Sequence, residues 1–273
     1  MESSVNNNER QRIFDAHCHI YPAKIAAAAA DSIGAFYDIP IENDGKVETL
    51  LAKGEKAGVT RYLVHSVSTT PKQVKSINEF ISSQVAEHPD KFVGFGTLHQ
   101  DSEDIEGDVA HLLELGLRGV KLHPDFQKCA LDSEEAYNVC RAFAGKVPLL
   151  VHAGDSRYNF SNPNQLLALM EKLPDLVVIA AHFGGWSKWS DASEVLAGHP
   201  NLYVDSSSSL YSLDSKTAYE LVHRFGVDRV LFGTDYPMWS IETELERFHK
   251  MGLTKEEEAK ILYDNAANLL GIV

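Results

Sequence analysis

An α/β fold, a single (β/α)8 TIM barrel, is the architecture that the sequence of 273 residues predicts. Eight short runs rich in Val, Ile and Leu alternate with helical patterns, and such alternation is typical of parallel strands joined by crossover helices. Eight units favour a closed barrel over an open sheet. Because no internal repeat or low-complexity linker interrupts them, we expect one barrel domain over residues 12–273, preceded by a flexible polar tail, residues 1–11.

The first predicted strand, residues 12–19, contains the stretch IFDAHCH. Side chains alternate between the two faces of a strand, which would place Asp15, His17 and His19 on one face and an apolar set with Cys18 on the other. A doubly wound open sheet, the competing fold, would have a glycine-rich phosphate loop after this strand. The chain has His-Cys-His there instead, which favours the barrel.

A long segment, residues 21–60, separates the first strand from the second. Connections of this length are uncommon without structure of their own, so the barrel is expected to be slightly elaborated after strand 1, with a helical excursion that is a candidate lid. The other strands are predicted at residues 61–67, 92–98, 118–123, 148–153, 177–182, 202–206 and 230–234.

The crossover helices are predicted from their caps and apolar stripes. In residues 71–87, Thr70 can cap the helix, Pro71 suits its first turn, and apolar residues recur on one stripe. The same plan predicts helices at residues 102–115, 132–144, 163–173, 191–197 and 215–225.

Composition limits the partners of the chain. A formal net charge of -14 argues against a surface that binds nucleic acid, because neutralising phosphates requires clustered Lys and Arg. The apolar stretches are too short or too interrupted to span a membrane. Three cysteines without a C-x-x-C pair and without a secretory signal indicate reduced thiols and a cytoplasmic location.

Polar side chains gather at the predicted C-terminal ends of the strands, where barrel enzymes have their active sites. Seven of the twelve histidines fall there, together with a lysine and an aspartate. These residues are His17, His19, His65, His99, Lys121, His123, His152, His182 and Asp235.

The chemistry that needs such a set is metal binding. His17 and His19 would point the same way about 6.6 Å apart along a strand, so their rings can converge on one ion. An isolated H-x-H is more often fortuitous. Its conjunction with VHAGD, AHFGG and FGTDYP at the same end of their units indicates a metal site. Imidazole and carboxylate ligands suit Zn, Mn, Fe or Ni.

These motifs resemble the amidohydrolase superfamily. The similarity lies in DAHCH at 15–19, in His152 and His182, and in GTD at 233–235, and it is greatest to the amidohydrolase-related branch with aminocarboxymuconate-semialdehyde decarboxylase and several lactonases. The resemblance implies that His17, His19, His152 and Asp235 bind the metal. It also implies that Asp235 takes a proton from the attacking water and that His182 stands beside that water and the substrate.

The resemblance leaves the number of metal ions open. We expect one divalent ion per chain, zinc first and Mn, Fe or Ni as alternatives, with Lys121 as a free cation that holds an anionic group of the substrate. In the alternative, a carboxylated Lys121 bridges two ions and His182 binds the second one.

The leading hypothesis is a metal-dependent hydrolase that cleaves an amide, lactone or ester bond of a small anionic substrate with metal-activated water. A non-oxidative decarboxylase on the same barrel is the alternative; a TatD-type nuclease and a non-enzymatic metal-binding protein are further ones. A homo-oligomer is left open. The residues expected to contact substrate are Lys121, His123, Arg157, His65, Trp186 and Tyr236.

Overall fold

The computed structural model describes residues 11–272, so the predicted flexible tail lies outside the described residues except for its last position. Within this range, nine strand segments run in parallel. They are β1 Ile13–His19, β2 Val59–His65, β3 Phe92–Gly94, β4 Gly96–Thr97, β5 Val120–Leu122, β6 Leu149–Val151, β7 Val178–Ala180, β8 Leu202–Asp205 and β9 Val230–Leu231.

The strands follow one another in chain order. One sheet holds β1 to β3 and the other β4 to β9. Only Phe95 separates β3 from β4, and its amide donates to the carbonyl of Val64, so these two segments are halves of one barrel strand. The first and last strands are joined by backbone bonds from Ala16 to Phe232 (2.8 Å) and from His19 to Tyr236 (2.7 Å). The predicted eight strand positions of a (β/α)8 barrel are therefore confirmed.

Helices fill the intervals between strands. They are α1 Ala26–Tyr37, α2 Val47–Ala57, α3 Val74–Glu87, α4 Ile105–Glu114, α5 Pro124–Gln127, α6 Glu134–Phe143, α7 Pro163–Lys172, α8 Trp189–Leu196, α9 Ser215–Phe225, α10 Ile241–His249, α11 Lys255–Ala259 and α12 Asn265–Leu269. Caps set their starts: Thr70 and Gln73 form a capping box ahead of α3. α4 begins at 105, later than predicted, because the Asp104 side chain caps it by accepting from the Gly107 amide. Among the described residues, no helix is long and apolar enough to cross a membrane.

Apolar side chains form two clusters. The larger one lies between the strands and the surrounding helices. The smaller one fills the barrel interior and includes Phe14, Ala16, Leu63, Phe95, Leu150, Ile179 and Leu231. Residues of α12 and Tyr263 pack against the interior cluster, which places the C-terminal segment against the barrel. The rest of the interior is available for polar chemistry.

The simple alternation predicted for β1 is wrong. The pairing of β1 with β2 is irregular between Asp15 and Cys18, and a bulge of this kind changes which face a residue occupies. Phe14 and Ala16 therefore lie in the interior cluster, whereas Cys18 lies in the outer one. Asp15 joins neither: its carboxylate accepts from the amide (2.9 Å) and the hydroxyl (2.6 Å) of Thr234, tying β1 to the loop after β9.

Candidate metal centre

Three ligand atoms converge at the C-terminal end of the barrel. His17 Nε2 lies 3.4 Å from His19 Nε2 and 3.3 Å from Asp235 Oδ1, and His19 Nε2 lies 3.5 Å from the same oxygen. An ion with tetrahedral ligands at about 2.1 Å has its ligands about 3.4 Å apart. The spacing of these three atoms therefore fits a divalent transition metal.

The tautomer of His17 supports this fit. Its Nδ1 lies 2.9 Å from Asp205 Oδ2, and because a carboxylate only accepts, Nδ1 carries the proton. Nε2 then presents a lone pair toward the His19 ring and the Asp235 carboxylate. A carboxylate behind a metal-binding imidazole is a common arrangement that fixes ring orientation. In Asp205, burial alone would raise the pKa, but its contact with His17 lowers it to about 2.

Asp235 is an ionised carboxylate at neutral pH. Burial alone would raise its pKa, but the nearby imidazoles of His17, His19 and His182 hold that pKa well below its usual value. Its backbone is in the left-handed region, with φ 59°, and so is that of His182, with φ 61°. Such conformations are unfavourable for residues with a side chain and occur often at functional sites. Both residues begin loops that leave the ends of strands.

His152 and His182 lie next to this group. The His182 ring stacks on that of His17 at 5.3 Å between centroids. His182 Nδ1 lies 3.0 Å from the carbonyl of Ser207, so it carries the proton, and Nε2 accepts from His152 Nδ1 at 3.0 Å. Burial lowers the pKa of His182 to about 4, so the ring is neutral at neutral pH.

The second ring nitrogen of His152, Nε2, is buried. Within residues 11–272 its Nε2 has no hydrogen-bond partner, although Asp125 Oδ2 lies 3.6 Å away. If His152 Nδ1 carries the proton and donates it in a hydrogen bond to His182, Nε2 is unprotonated. Its lone pair then faces the Asp125 carboxylate, which is an unfavourable contact between two acceptors. A metal on Nδ1 would move the proton to Nε2, where Asp125 can accept it. The surroundings of His152 thus fit a metal-binding imidazole.

Lys121 is fully buried, and its ammonium lies 3.1 Å from His17 Nε2. Burial lowers its pKa to about 8, so the side chain remains mostly a cation at neutral pH. It lines a cavity above the ligand cluster together with His17, His19, Ile33, Tyr37, His123, Phe126, His152, His182, Asp235, Pro237 and Met238. The chain thus places one cation beside the converging ligands.

Helix α1, in the long segment after β1, supplies the outer wall of this cavity through Ile33 and Tyr37. The Tyr37 hydroxyl lies 2.8 Å from His123 Nε2. The His123 ring is stacked between Phe126 at 3.7 Å and His152 at 4.0 Å. The segment predicted as a lid therefore covers the cavity.

Arg157 holds this lid. Its guanidinium forms two bonds to the Asp155 carboxylate, at 3.0 and 2.8 Å, and a third to the carbonyl of Phe36 at 2.7 Å. The same group lies over the rings of Phe36, Tyr37 and Trp186, at 4.8 to 5.3 Å from their centroids. Arg157 and Trp186, both predicted to contact substrate, lie outside the lining of the cavity and contact the end of α1.

Two other predicted substrate contacts lie away from the cavity wall. His65 is fully buried beside His17 and His19, with ring centroids at 4.9 and 4.4 Å, and its nitrogens have no partner among the described residues. The Tyr236 hydroxyl donates to the carbonyl of Lys46 at 2.7 Å. Of the six predicted contacts, the structure brings Lys121 and His123 to the cavity.

Sequence reasoning missed Asp205, the serines 206–209 and Tyr37. Asp205 ends β8 at the same rim as the other polar residues, so the rule that identified them would have found it. The four serines 206–209 that follow are all buried, and their run at a strand end was a readable pattern. Tyr37 had no local pattern, because its position depends on how α1 packs.

Comparisons with known proteins identify the family and support the fold. The family described as Amidohydrolase matches residues 14–272. An uncharacterised TIM-barrel protein from Bordetella bronchiseptica is 21% identical with a TM-score of 0.79, covering 96% of this chain and 99% of that one.

Two further solved structures carry activities in their names. A dihydroxybenzoic acid decarboxylase from Polaromonas sp. JS666, with bound manganese and the inhibitor 2-nitroresorcinol, is 17% identical (TM-score 0.72; 96% and 97% covered). A probable 2-pyrone-4,6-dicarboxylic acid hydrolase from Acinetobacter baumannii, with citric acid bound, is 17% identical (TM-score 0.69; 95% and 99% covered). Because the family match spans nearly the whole sequence, the chain belongs to the amidohydrolase family, as its motifs predicted.

Proposed function

We propose that this protein is a metal-dependent hydrolase that cleaves an amide, lactone or ester bond of a small anionic substrate. The observation that carries the proposal is the triangle of His17 Nε2, His19 Nε2 and Asp235 Oδ1, with edges of 3.3 to 3.5 Å, beside the buried Lys121 ammonium. Family membership supports enzymatic activity of this class.

His17, His19, His152 and Asp235 would hold one divalent ion, zinc first and Mn, Fe or Ni as alternatives. When bound, such an ion polarises a substrate carbonyl and lowers the pKa of water to about 7. We propose one ion rather than two, with Lys121 as an uncarboxylated cation that holds an anionic group of the substrate; a bridging role would require the lysine to be carboxylated.

Asp235 is the proposed general base. Its carboxylate is ionised at neutral pH and lines the cavity, so it can take a proton from water and deliver it to the leaving group. His182 lines the same cavity as a neutral ring whose Nδ1 is held by Ser207, which suits a residue that orients the nucleophile.

Lys121 is the proposed anchor for the substrate's negative charge. It is buried, and in an acidic protein it is a concentrated source of positive potential within the cavity. Ile33, Phe126, Pro237 and Met238 supply apolar walls, which suit a compact carbon skeleton that carries a carboxylate.

A non-oxidative decarboxylase is the second candidate. The observation that favours it is the similarity to the dihydroxybenzoic acid decarboxylase structure. In that reaction Lys121 would again hold an anionic group. Asp235 would take a proton from water, leaving hydroxide, and deliver it to the carbon that loses carbon dioxide.

We further propose a cytoplasmic location and no nucleic-acid partner. Cys18, Cys129 and Cys140 are all free thiols, which suits a reducing compartment, and the net charge of -14 disfavours polyanions. A homo-oligomer stays open, and the mass of the protein in solution would decide it.

The test compares two probe substrates on zinc- and manganese-loaded protein. We expect ring-opened acid from 2-pyrone-4,6-dicarboxylate, whereas carbon dioxide from 2,6-dihydroxybenzoate would select the alternative. Turnover should fall by roughly 10²- to 10⁴-fold in Asp235→Asn, since a positioned base contributes about this much. Wild-type turnover in that variant would refute the role of Asp235, and inert loaded wild type would refute both substrate classes.

A further inference from the structure

The loop after β8 contacts the candidate metal centre without supplying a ligand. Ser208 Oγ lies 2.5 Å from Asp235 Oδ2, and Trp239 Nε1 lies 2.9 Å from Ser208 Oγ. An indole nitrogen can only donate, so Ser208 accepts from Trp239. The serine hydroxyl must then direct its own proton to the Asp235 carboxylate. The direction of both bonds is fixed.

Ser208 occupies an unfavourable backbone conformation to make this bond. Its φ is 44°, in the left-handed region, and the residue is buried. Glycine adopts this conformation without steric cost. The hydroxyl is therefore the part of Ser208 that the site uses.

The hydrogen bond from Ser208 gives the two carboxylate oxygens of Asp235 different partners. Ser208 holds Oδ2, whereas Oδ1 faces His17 Nε2 at 3.3 Å and His19 Nε2 at 3.5 Å. A carboxylate held by one oxygen cannot rotate freely, so Oδ1 stays directed at the two imidazoles. We infer that Ser208, oriented by Trp239, is a positioning residue that sets the metal affinity of Asp235. The inference rests on the metal centre of the proposed function.

The next residue of the same loop provides a matched control. Trp189 Nε1 donates to Ser209 Oγ at 3.0 Å, and Ser209 donates to the carbonyl of Ser207 at 3.0 Å. Both pairs join an indole to a buried serine. The Trp239 pair ends on the Asp235 carboxylate, and the Trp189 pair ends on a peptide carbonyl.

The experiment titrates chelator-treated, full-length protein with Mn²⁺ and follows binding by calorimetry. We expect Ser208→Gly to weaken Mn²⁺ binding about 10- to 100-fold, the usual effect of losing a partner of a metal ligand. Trp239→Phe keeps the ring but removes the donor, and should weaken binding less. Trp189→Phe should leave the Mn²⁺ affinity unchanged.

Thermal unfolding of the metal-free proteins separates positioning from general loosening. Because glycine relieves the left-handed strain, Ser208→Gly should melt at or above the wild-type temperature while it binds Mn²⁺ more weakly. Affinity within twofold of wild type in both Ser208→Gly and Trp239→Phe overturns the inference and leaves the metal centre standing. An equal loss in Trp189→Phe also overturns it. Failure of the wild type to bind Mn²⁺ overturns the metal centre and the inference together.

Discussion

His17 has a carboxylate near each side of its ring, and the two differ in what they do. Asp205, fully buried, pairs with Nδ1 at 2.9 Å and fixes where the proton sits. Asp235, on the cavity wall, faces Nε2 at 3.3 Å and contributes an oxygen to the ligand cluster. In the proposed site, the first carboxylate would orient the imidazole as a metal ligand, and the second would bind the same ion.

Tyr37, at the end of helix α1 in the lid, is expected to donate a hydrogen bond to the substrate. The amide of Phe126 donates to His123 Nδ1 at 3.4 Å, so Nε2 carries the ring proton and donates to the Tyr37 oxygen. The Tyr37 proton is then free to point into the cavity. Burial raises the pKa of Tyr37 well above its usual value, which keeps that proton in place.

Replacing Tyr37 with Phe should therefore remove one hydrogen-bond donor to the substrate. We expect kcat/KM to fall about fivefold, because one hydrogen bond contributes about 1 kcal/mol. Tyr158→Phe is the control, since Tyr158 stacks on Phe36 nearby but is exposed and does not line the cavity. Equal kinetics in the wild type and Tyr37→Phe would exclude Tyr37 from substrate contact.

At the scale of elements, the side chain of Arg157 holds the end of α1 through an ion pair and ring contacts. Arg157→Gln removes the ion pair with Asp155 and the stacking on Phe36 and Tyr37. We expect faster amide hydrogen exchange in α1 with little change in α2, and a higher KM because Tyr37 is less well placed. Arg141→Gln, at an exposed position on α6, should change neither quantity. Unchanged exchange in α1 would show that other contacts hold it.

Helix α10 carries a buried acid with a predictable effect of pH on stability. Burial raises the pKa of Glu244 to about 7 despite its ion pair with Arg247 at 2.5 Å. A pKa raised by folding contributes stability that is complete below about pH 4.5 and is lost as pH rises through 7. The buried carboxylate therefore weakens the fold at alkaline pH.

Glu244→Gln should abolish this dependence. We expect the variant to unfold at a higher temperature than wild type at pH 8 and at about the same temperature at pH 5, with a gain of roughly 1–3 kcal/mol at pH 8. Glu246→Gln, exposed on the same helix, should follow the wild type at both values. An equal effect of Glu244→Gln at both pH values would contradict the assignment.

Features defined by contacts close in sequence could be predicted, whereas features defined by contacts between distant segments could not. Strand-end position located His17, His19, Lys121 and Asp235, because a parallel barrel brings all strand ends to one rim. The bulge in β1 could not be predicted, since strand pairing determines it. Arg157 was predicted to bind substrate, yet Asp155 stands two positions earlier in GDSR, a spacing that permits the observed ion pair.

In the whole molecule, the apolar side chains that stabilise the barrel and the polar side chains of the candidate site lie in different parts of its interior. The interior cluster and α12 occupy one part of the interior, and the imidazoles and carboxylates occupy the C-terminal mouth. Periodicity predicted the order of strands and helices because each unit repeats the same local pattern. The position of the lid depended on the contacts of Arg157 and Tyr37, which no local pattern encodes.

We propose that a single ion binds where His17, His19 and Asp235 converge. The most direct test is elemental analysis of purified protein, with His19→Ala as the comparison. We predict one equivalent of a divalent transition metal per wild-type chain and at most a small fraction of that in His19→Ala. Two equivalents in the wild type, or full metal content in His19→Ala, would contradict the account.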